Sequence, residues 1–182
     1  MERVACFIDA SYLDNIAKKF LDVFEKPFKF DYQKIIDEMR NGRPLLRTYY
    51  YTCPVFIGEE PTEEEKELQT NQNRFFDRLQ ALPQFECRFG RLTRHIDGSF
   101  EQKRVDVMFA TDIVVSSTKH LVSNIVLITG DSDMIPAIQI AKNEGIVVEL
   151  FYMRGTAHTD LLKTVDISNP IDQTWINRVK RD

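Results

Sequence analysis

No run in this 182-residue chain approaches the length of a membrane-spanning helix. Met1-Glu2-Arg3 lead straight into an apolar strand, so no secretory leader is expected either. Cysteine is scarce. Cys6, Cys53 and Cys87 lie far apart inside apolar or strand-like stretches, which makes neither a disulfide framework nor a zinc-binding spacing. Three reduced, mostly buried thiols in a cytoplasmic protein are expected, with no membrane contact. An excess of positive charge is also missing: 24 Lys and Arg stand against 28 Asp and Glu, for a net charge of −4. That excludes a protein that coats nucleic acid by bulk electrostatics, although a local basic groove remains open. The remaining composition, 43% hydrophobic and 29% charged, is that of an ordinary globular protein long enough for a sizeable core.

The most informative stretch is Ile125 to Leu150, IVLITGDSDMIPAIQIAKNEGIVVEL. Ile125 to Thr129 is a short β-branched run of the kind a fully buried parallel strand needs. Gly130 ends it, and Asp131-Ser132-Asp133 follow. Pro136 suits the first turn of a helix, where its missing N–H costs nothing. Ile135, Ile138, Ile140 and Ala141 are expected to bury that helix, and Gly145 to stop it. A second apolar run, Ile146 to Tyr152, completes a strand-helix-strand unit. Ligands of such parallel sheets bind outside the carboxyl ends of the strands, which is where Asp131 and Asp133 fall.

Asp9 has the same address. Val4 to Ile8 form a strand, Asp9 ends it, and Ser11 is expected to cap a helix through Leu13, Ile16, Ala17 and Phe20. One acidic residue there could serve only the helix dipole; two in one sheet point to a site. Asp31 caps a shorter helix. Leu45 to Cys53 reads as a strand whose Tyr49, Tyr50 and Tyr51 could stack on bases, although core packing is the preferred reading. Six glutamates in Glu59 to Glu67 open a helix with Leu68, Phe75, Phe76, Leu79 and Leu82 inward. Phe85 to Thr93 alternates as one strand, and Asp97-Gly98 signals a hairpin turn. Arg88, Arg91, Arg94, His95, Lys103 and Arg104 gather along this span, either as a phosphate-tracking surface or as ordinary surface charge.

Lys103 to Lys119 reads as a helix, with Asp106 in its first turn and Asp112 about two turns on. Both interrupt an apolar pattern, which is costly without compensation. A helix start aimed at the sheet edge brings Asp106 near Asp9 and Asp131. Four carboxylates on one edge repel one another unless a cation intervenes, and a hard, oxygen-preferring ion such as Mg²⁺ or Mn²⁺ answers that need.

FIDASYL, QKRVDVMFATDIV and ITGDSDMIPAIQIAKNEGIVVEL resemble the NYN domain family within the PIN-like nuclease superfamily, over roughly Val4 to Asp166. The resemblance implies an α/β fold, a three-layer α/β/α sandwich with a central, mostly parallel sheet, and divalent-metal-dependent ribonuclease chemistry in many members. It maps the acidic cluster onto Asp9, Asp106, Asp131 and Asp133, with Asp112 as an auxiliary acid. The chain departs from the family's pattern at Ala10 and Tyr12, where Gly and Asn are usual, and at Met134 in place of Phe.

On this reading RNA is hydrolysed with Mg²⁺ or Mn²⁺. Lys103 contacts a phosphate, Ser11, Thr129 and Ser132 hydrogen-bond the metal's waters, and Arg91, Arg94 and His95 guide the strand. Two alternatives compete with it. A haloacid-dehalogenase-like phosphatase would use Asp9 as nucleophile but wants an acid two residues on, where Ser11 stands. A non-catalytic metal- or RNA-binding regulator would keep the same fold. The domain is expected over residues 1–168. A tail over 169–182, with Ile171, Trp175, Ile176 and Val179 on one side, is expected to dock on its own domain, a second copy or a protein partner.

Overall fold

The computed structural model describes residues 2–24, 27–58, 60–94 and 99–181. Its layering follows from the first strand, β1 (Val4–Asp9). Val4, Cys6 and Ile8 face one side, Ala5 and Phe7 the other, and all five are fully buried. A strand apolar on both faces needs cover on both. The chain continues through α1 (Ala10–Lys19), α2 (Leu21–Phe24), α3 (Tyr32–Arg40), β2 (Leu45–Thr52), α4 (Glu63–Gln80) and β3 (Phe85–Phe89). A small hairpin of β4 (Arg91–Arg94) and β5 (Phe100–Lys103) precedes α5 (Val105–Thr118) and β6 (Asn124–Ile128). After a 3-10 turn (Ser132–Met134) come α6 (Ile135–Asn143), β7 (Val147–Tyr152), α7 (Thr159–Thr164), β8 (Ile167–Pro170) and α8 (Gln173–Val179).

The main sheet has the order β3-β2-β1-β6-β7-β8, with every neighbouring pair parallel. Side chains of α1, α3, α4 and α8 join Val4, Cys6, Ile8, Tyr50, Val126 and Ile128 in one core. Side chains of α5, α6 and α7 join Ala5, Phe7, Tyr51, Ile125, Leu127 and Leu150 in the other. The result is the expected three-layer α/β/α sandwich. From β1 the chain leaves toward β2 on one side, and it later returns to lay β6 on the other. The gap beyond the carboxyl ends of β1 and β6 is therefore the point where strand order reverses, the usual ligand crevice of an open α/β sheet.

Local chemistry explains the helix starts. Thr62 and Glu65 form a reciprocal capping box for α4, so the helix begins at Glu63, after the first two of the six glutamates. Asp31 caps α3 as expected. Several expectations are corrected. Asp9, not Ser11, caps α1, because its carboxylate accepts the Tyr12 N–H. Phe85 to Thr93 is not one strand: it breaks at Gly90 into β3 and β4. A β-carbon at Gly90 would lie 2.5 Å from Val105 Cγ2 and 2.8 Å from the Lys103 carbonyl oxygen, so only glycine lets the hairpin cross this close to the start of α5. Lys103 consequently ends a strand instead of opening a helix. Ile140 is 39% exposed, and α6 is anchored instead by Ala137, Ile138 and Ala141. Asp97-Gly98 lies outside the described residues, while β4 and β5 pair antiparallel on either side of it.

The tail belongs to the core. Ile171, Trp175, Ile176 and Val179 are all buried with α1 and α3, and β8 adds a sixth strand to the sheet. Of the destinations open to the tail's apolar side, its own domain is the one that takes it.

Candidate active site

Asp9 ends β1 and begins α1, so its carboxylate sits at the sheet edge with one oxygen engaged. That oxygen accepts from Ser11 Oγ at 2.7 Å and from the Tyr12 N–H at 3.1 Å. Its other oxygen faces Thr129 Oγ at 3.5 Å. Thr129 follows β6, is almost wholly buried, and accepts the Asp131 N–H at 3.1 Å. Asp131 in turn caps the 3-10 turn by accepting the Asp133 N–H at 2.9 Å. One threonine hydroxyl therefore ties the ends of two neighbouring strands, and two carboxylates are placed by turn geometry instead of by long flexible side chains.

Asp106 reaches the same edge from another element, the first turn of α5. Its carboxyl is held above the ordinary value by surrounding protein first, then by the negative charges of Asp131, Asp9 and Asp133. The residue is open to solvent, so the neighbouring carboxylates are the part of this shift that a bound cation would reverse. Asp9 is also raised, chiefly by burial, against the lowering effect of its Ser11 and Tyr12 hydrogen bonds and with Asp131 adding to the rise. Three separate elements thus bring four carboxylates into one electrostatic neighbourhood.

The donor set suits a hard divalent cation, because every candidate ligand is a carboxylate or hydroxyl oxygen. Among the described residues, no three acidic, histidine or cysteine side chains stand close enough to make a metal shell by themselves. Mg²⁺ in general keeps several waters and takes only one or two carboxylates directly.

The other candidates divide. Asp112 accepts from the Tyr51 hydroxyl at 2.8 Å and from Arg88 Nε at 3.1 Å, and Arg88 also pairs with Glu86. One oxygen of the Asp112 carboxylate is thus engaged with Tyr51 and Arg88 on the sheet. Ser11 spends its hydroxyl on Asp9, and Ser132 sits half-buried in the 3-10 turn. Lys103 and Arg91 are cross-strand partners on the hairpin that leads into α5, both exposed, with Lys103 3.3 Å from Glu101. Arg94 ends β4, its side chain outside what is described, and His95 lies outside the described residues.

Tyr12 was legible only as a departure, and the structure gives it a task. Its hydroxyl pairs with Thr156 Oγ at 2.6 Å and accepts the Met153 N–H at 3.1 Å, joining α1 to the loop after β7. Its ring covers Gly130, where a β-carbon would lie 2.5 Å from the tyrosine ring. Gly130 and Tyr12 together form the packed support beneath the Thr129–Asp131 corner. The glycine in ITGD was the available signal, because a glycine inside an apolar strand end often marks a close approach.

The raised carboxyls fix a pH dependence. The folded chain holds protons on Asp9 and Asp106 that the unfolded chain releases near the ordinary 3.8. These two groups therefore cost no stability below 3.8, and their penalty grows as pH rises through their folded values. In metal-free protein, urea melts should show Asp106→Asn gaining on wild type as pH rises above about 4. An equal gap throughout would mean the Asp106 carboxyl is not raised in the folded chain.

Comparison with known proteins agrees with this architecture. A family model described as the NYN domain matches residues 3–171. An uncharacterized protein of Sinorhizobium fredii is 30% identical over 86 residues, which is 46% of this chain. The match spans 40% of that relative's own length. A crystal structure of a Vibrio parahaemolyticus protein of unknown function superposes on 99% of this chain and 96% of its own, with a TM-score of 0.68 and 16% identity. That likeness concerns the fold alone.

Proposed function

This chain belongs to the NYN domain family, and on that premise we propose that it is a divalent-metal-dependent ribonuclease working at Asp9, Asp106, Asp131 and Asp133. The observation that carries the reading is the convergence of four carboxylates from the end of β1, the turn after β6 and the first turn of α5, with the Asp106 carboxyl raised first by burial and then by Asp131, Asp9 and Asp133. Mutual repulsion of this kind is costly in a resting fold and useful when a cation and a phosphodiester are to be bound.

Asp9, Asp131 and Asp106 would hold Mg²⁺ or Mn²⁺ directly or through water. Bound there, such an ion would acidify a water molecule and offset charge building on the phosphorus. The chain's own groups do the rest. Asp133 would complete the cluster or orient the attacking water. Thr129 keeps Asp9 and Asp131 in register. Ser11 and Ser132 border the cluster and would hydrogen-bond its water shell, and Lys103 and Arg91 would supply positive charge along the strand's path.

The test is cleavage of an end-labelled single-stranded RNA with Mg²⁺, Mn²⁺ or EDTA. Cutting with either metal and none in EDTA is expected. A second reading, a regulator of the same fold that binds metal or RNA without cutting, draws on Tyr12, since the position where the family usually has Asn is here a packed tyrosine. RNA or metal binding with no cutting under any of these conditions would decide for it.

A further inference from the structure

A cleft of about 690 Å³ lies between α1, α3 and α4, apart from the carboxylate cluster. Its walls are aromatic. Tyr32 and Phe75 lie 5.6 Å apart edge to face, and Phe28 stands against Phe30 at 5.3 Å. The Tyr32 hydroxyl is committed to Tyr50 at 3.3 Å, so the ring is what Tyr32 offers the cleft. Phe28 and Phe75 are only partly buried, which leaves aromatic surface facing solvent inside a concavity.

The rim is cationic. Lys29, Arg78 and Arg181 border the cleft, and all three are exposed. Arg181 is brought there by the tail, whose backbone N–H donates to the Lys29 carbonyl at 2.8 Å. Asp31 also borders the cleft, but its carboxylate is used to cap α3. Asp14 is the link to the carboxylate cluster. It lines the cleft from α1, five residues past Asp9 and so about 7 Å further along the helix axis. Its carboxyl is raised by burial, and Asp9 is among the charges that add to the rise.

Aromatic faces inside a cationic rim are the chemistry of unpaired nucleic acid, because every base has a π-face to stack and every linkage a phosphate to neutralise. An acidic peptide would use the cations and leave the rings idle. We propose that this cleft seats an unpaired nucleotide of the RNA strand, its base stacked on Phe75 and Phe28 and its flanking phosphate held by Arg78 and Arg181. The assignment rests on the ribonuclease reading for the substrate class, and it adds a second anchoring point that fixes where the strand lies relative to the carboxylates.

Fluorescence anisotropy with a labelled single-stranded RNA in EDTA measures binding without cutting. Phe75→Ala should weaken binding about 5- to 150-fold, the value of one stacked base. Phe75 also packs in the core, so Arg78→Gln, at an exposed side chain, gives an independent arm. It should reduce the slope of log affinity against log salt by roughly 0.7, one phosphate contact on a single strand. Thermal melts of both variants separate binding loss from unfolding. Wild-type affinity and salt slope in Arg78→Gln, with RNA still bound and cut, would overturn the cleft assignment and leave the ribonuclease reading standing. Free uridine or adenosine monophosphate binding as tightly as the strand would also overturn it, in favour of a nucleotide-sensing cleft. Absence of any RNA binding by the wild type in EDTA would overturn the cleft assignment, while the ribonuclease reading is decided by the cleavage test with metal.

Discussion

Asp131→Asn should lose RNA cleavage by at least about 100-fold while the protein melts at or above the wild-type temperature. The size is that of removing one preorganised electrostatic contact from a reacting centre. The fold survives because the structural duty of Asp131 is to accept the Asp133 N–H, which an asparagine oxygen performs nearly as well. The main-chain bond from Asp131 to Thr129 is untouched. Removing one charge from a repelling set relaxes Asp106, whose carboxyl is raised by Asp131 more than by any other charge. Activity and stability should therefore move in opposite directions, the signature of a functional cluster. Cleavage assays beside thermal melts of the same samples make the check. Full activity in the asparagine variant would remove this carboxylate from the site, and a lowered melting temperature would recast it as structural.

The second large effect lies at the other end of the chain. Trp175→Ala should cost about 3–5 kcal/mol, the usual loss for truncating a buried large aromatic. Trp175 is 2% exposed and lies 6.0 Å from the ring of Phe151 on β7 and 6.5 Å from that of Phe30. Its backbone N–H is held by Asp172, which caps α8. At roughly 2–4 °C per kcal/mol for a chain of this length, the melting temperature should fall by some 6–20 °C. Circular dichroism at 222 nm follows the transition, since the variant has lost the chain's one tryptophan. A tail that served a partner instead of its own domain would leave the melt unchanged, so the measurement also decides where the tail belongs.

What was legible beforehand was what local pattern controls. The runs at Val4 and Ile125 are apolar and bounded, so the strands were plain, and with them the edge where Asp9 and Asp131 end up. The start of α3 was equally open, because Asp31 caps it through a contact three residues away. Contacts between distant segments were not legible. Nothing near Asp112 reveals that Arg88 and Tyr51 take its carboxylate. Nothing near Tyr12 reveals that Thr156, 144 residues later, receives its hydroxyl. The break at Gly90 depends on Val105 and Cys53 crowding the space a side chain would need. The amphipathic pattern of the tail was visible but carried no address, since a helix face records that it is covered and not by what.

The strand order has a consequence for synthesis. β1 is made first and sits in the middle of the sheet, yet one of its two neighbours is β6. A growing chain that ends before residue 124 holds a largely apolar strand with at least one bare edge, a surface open to wrong pairing. Thr129, which joins Asp9 to Asp131, lies 120 residues downstream of Asp9. The carboxylates from the two ends of that interval meet only when the sheet closes over its own beginning. A truncated product that stops short of β6 therefore carries Asp9 with no Thr129–Asp131 corner to complete.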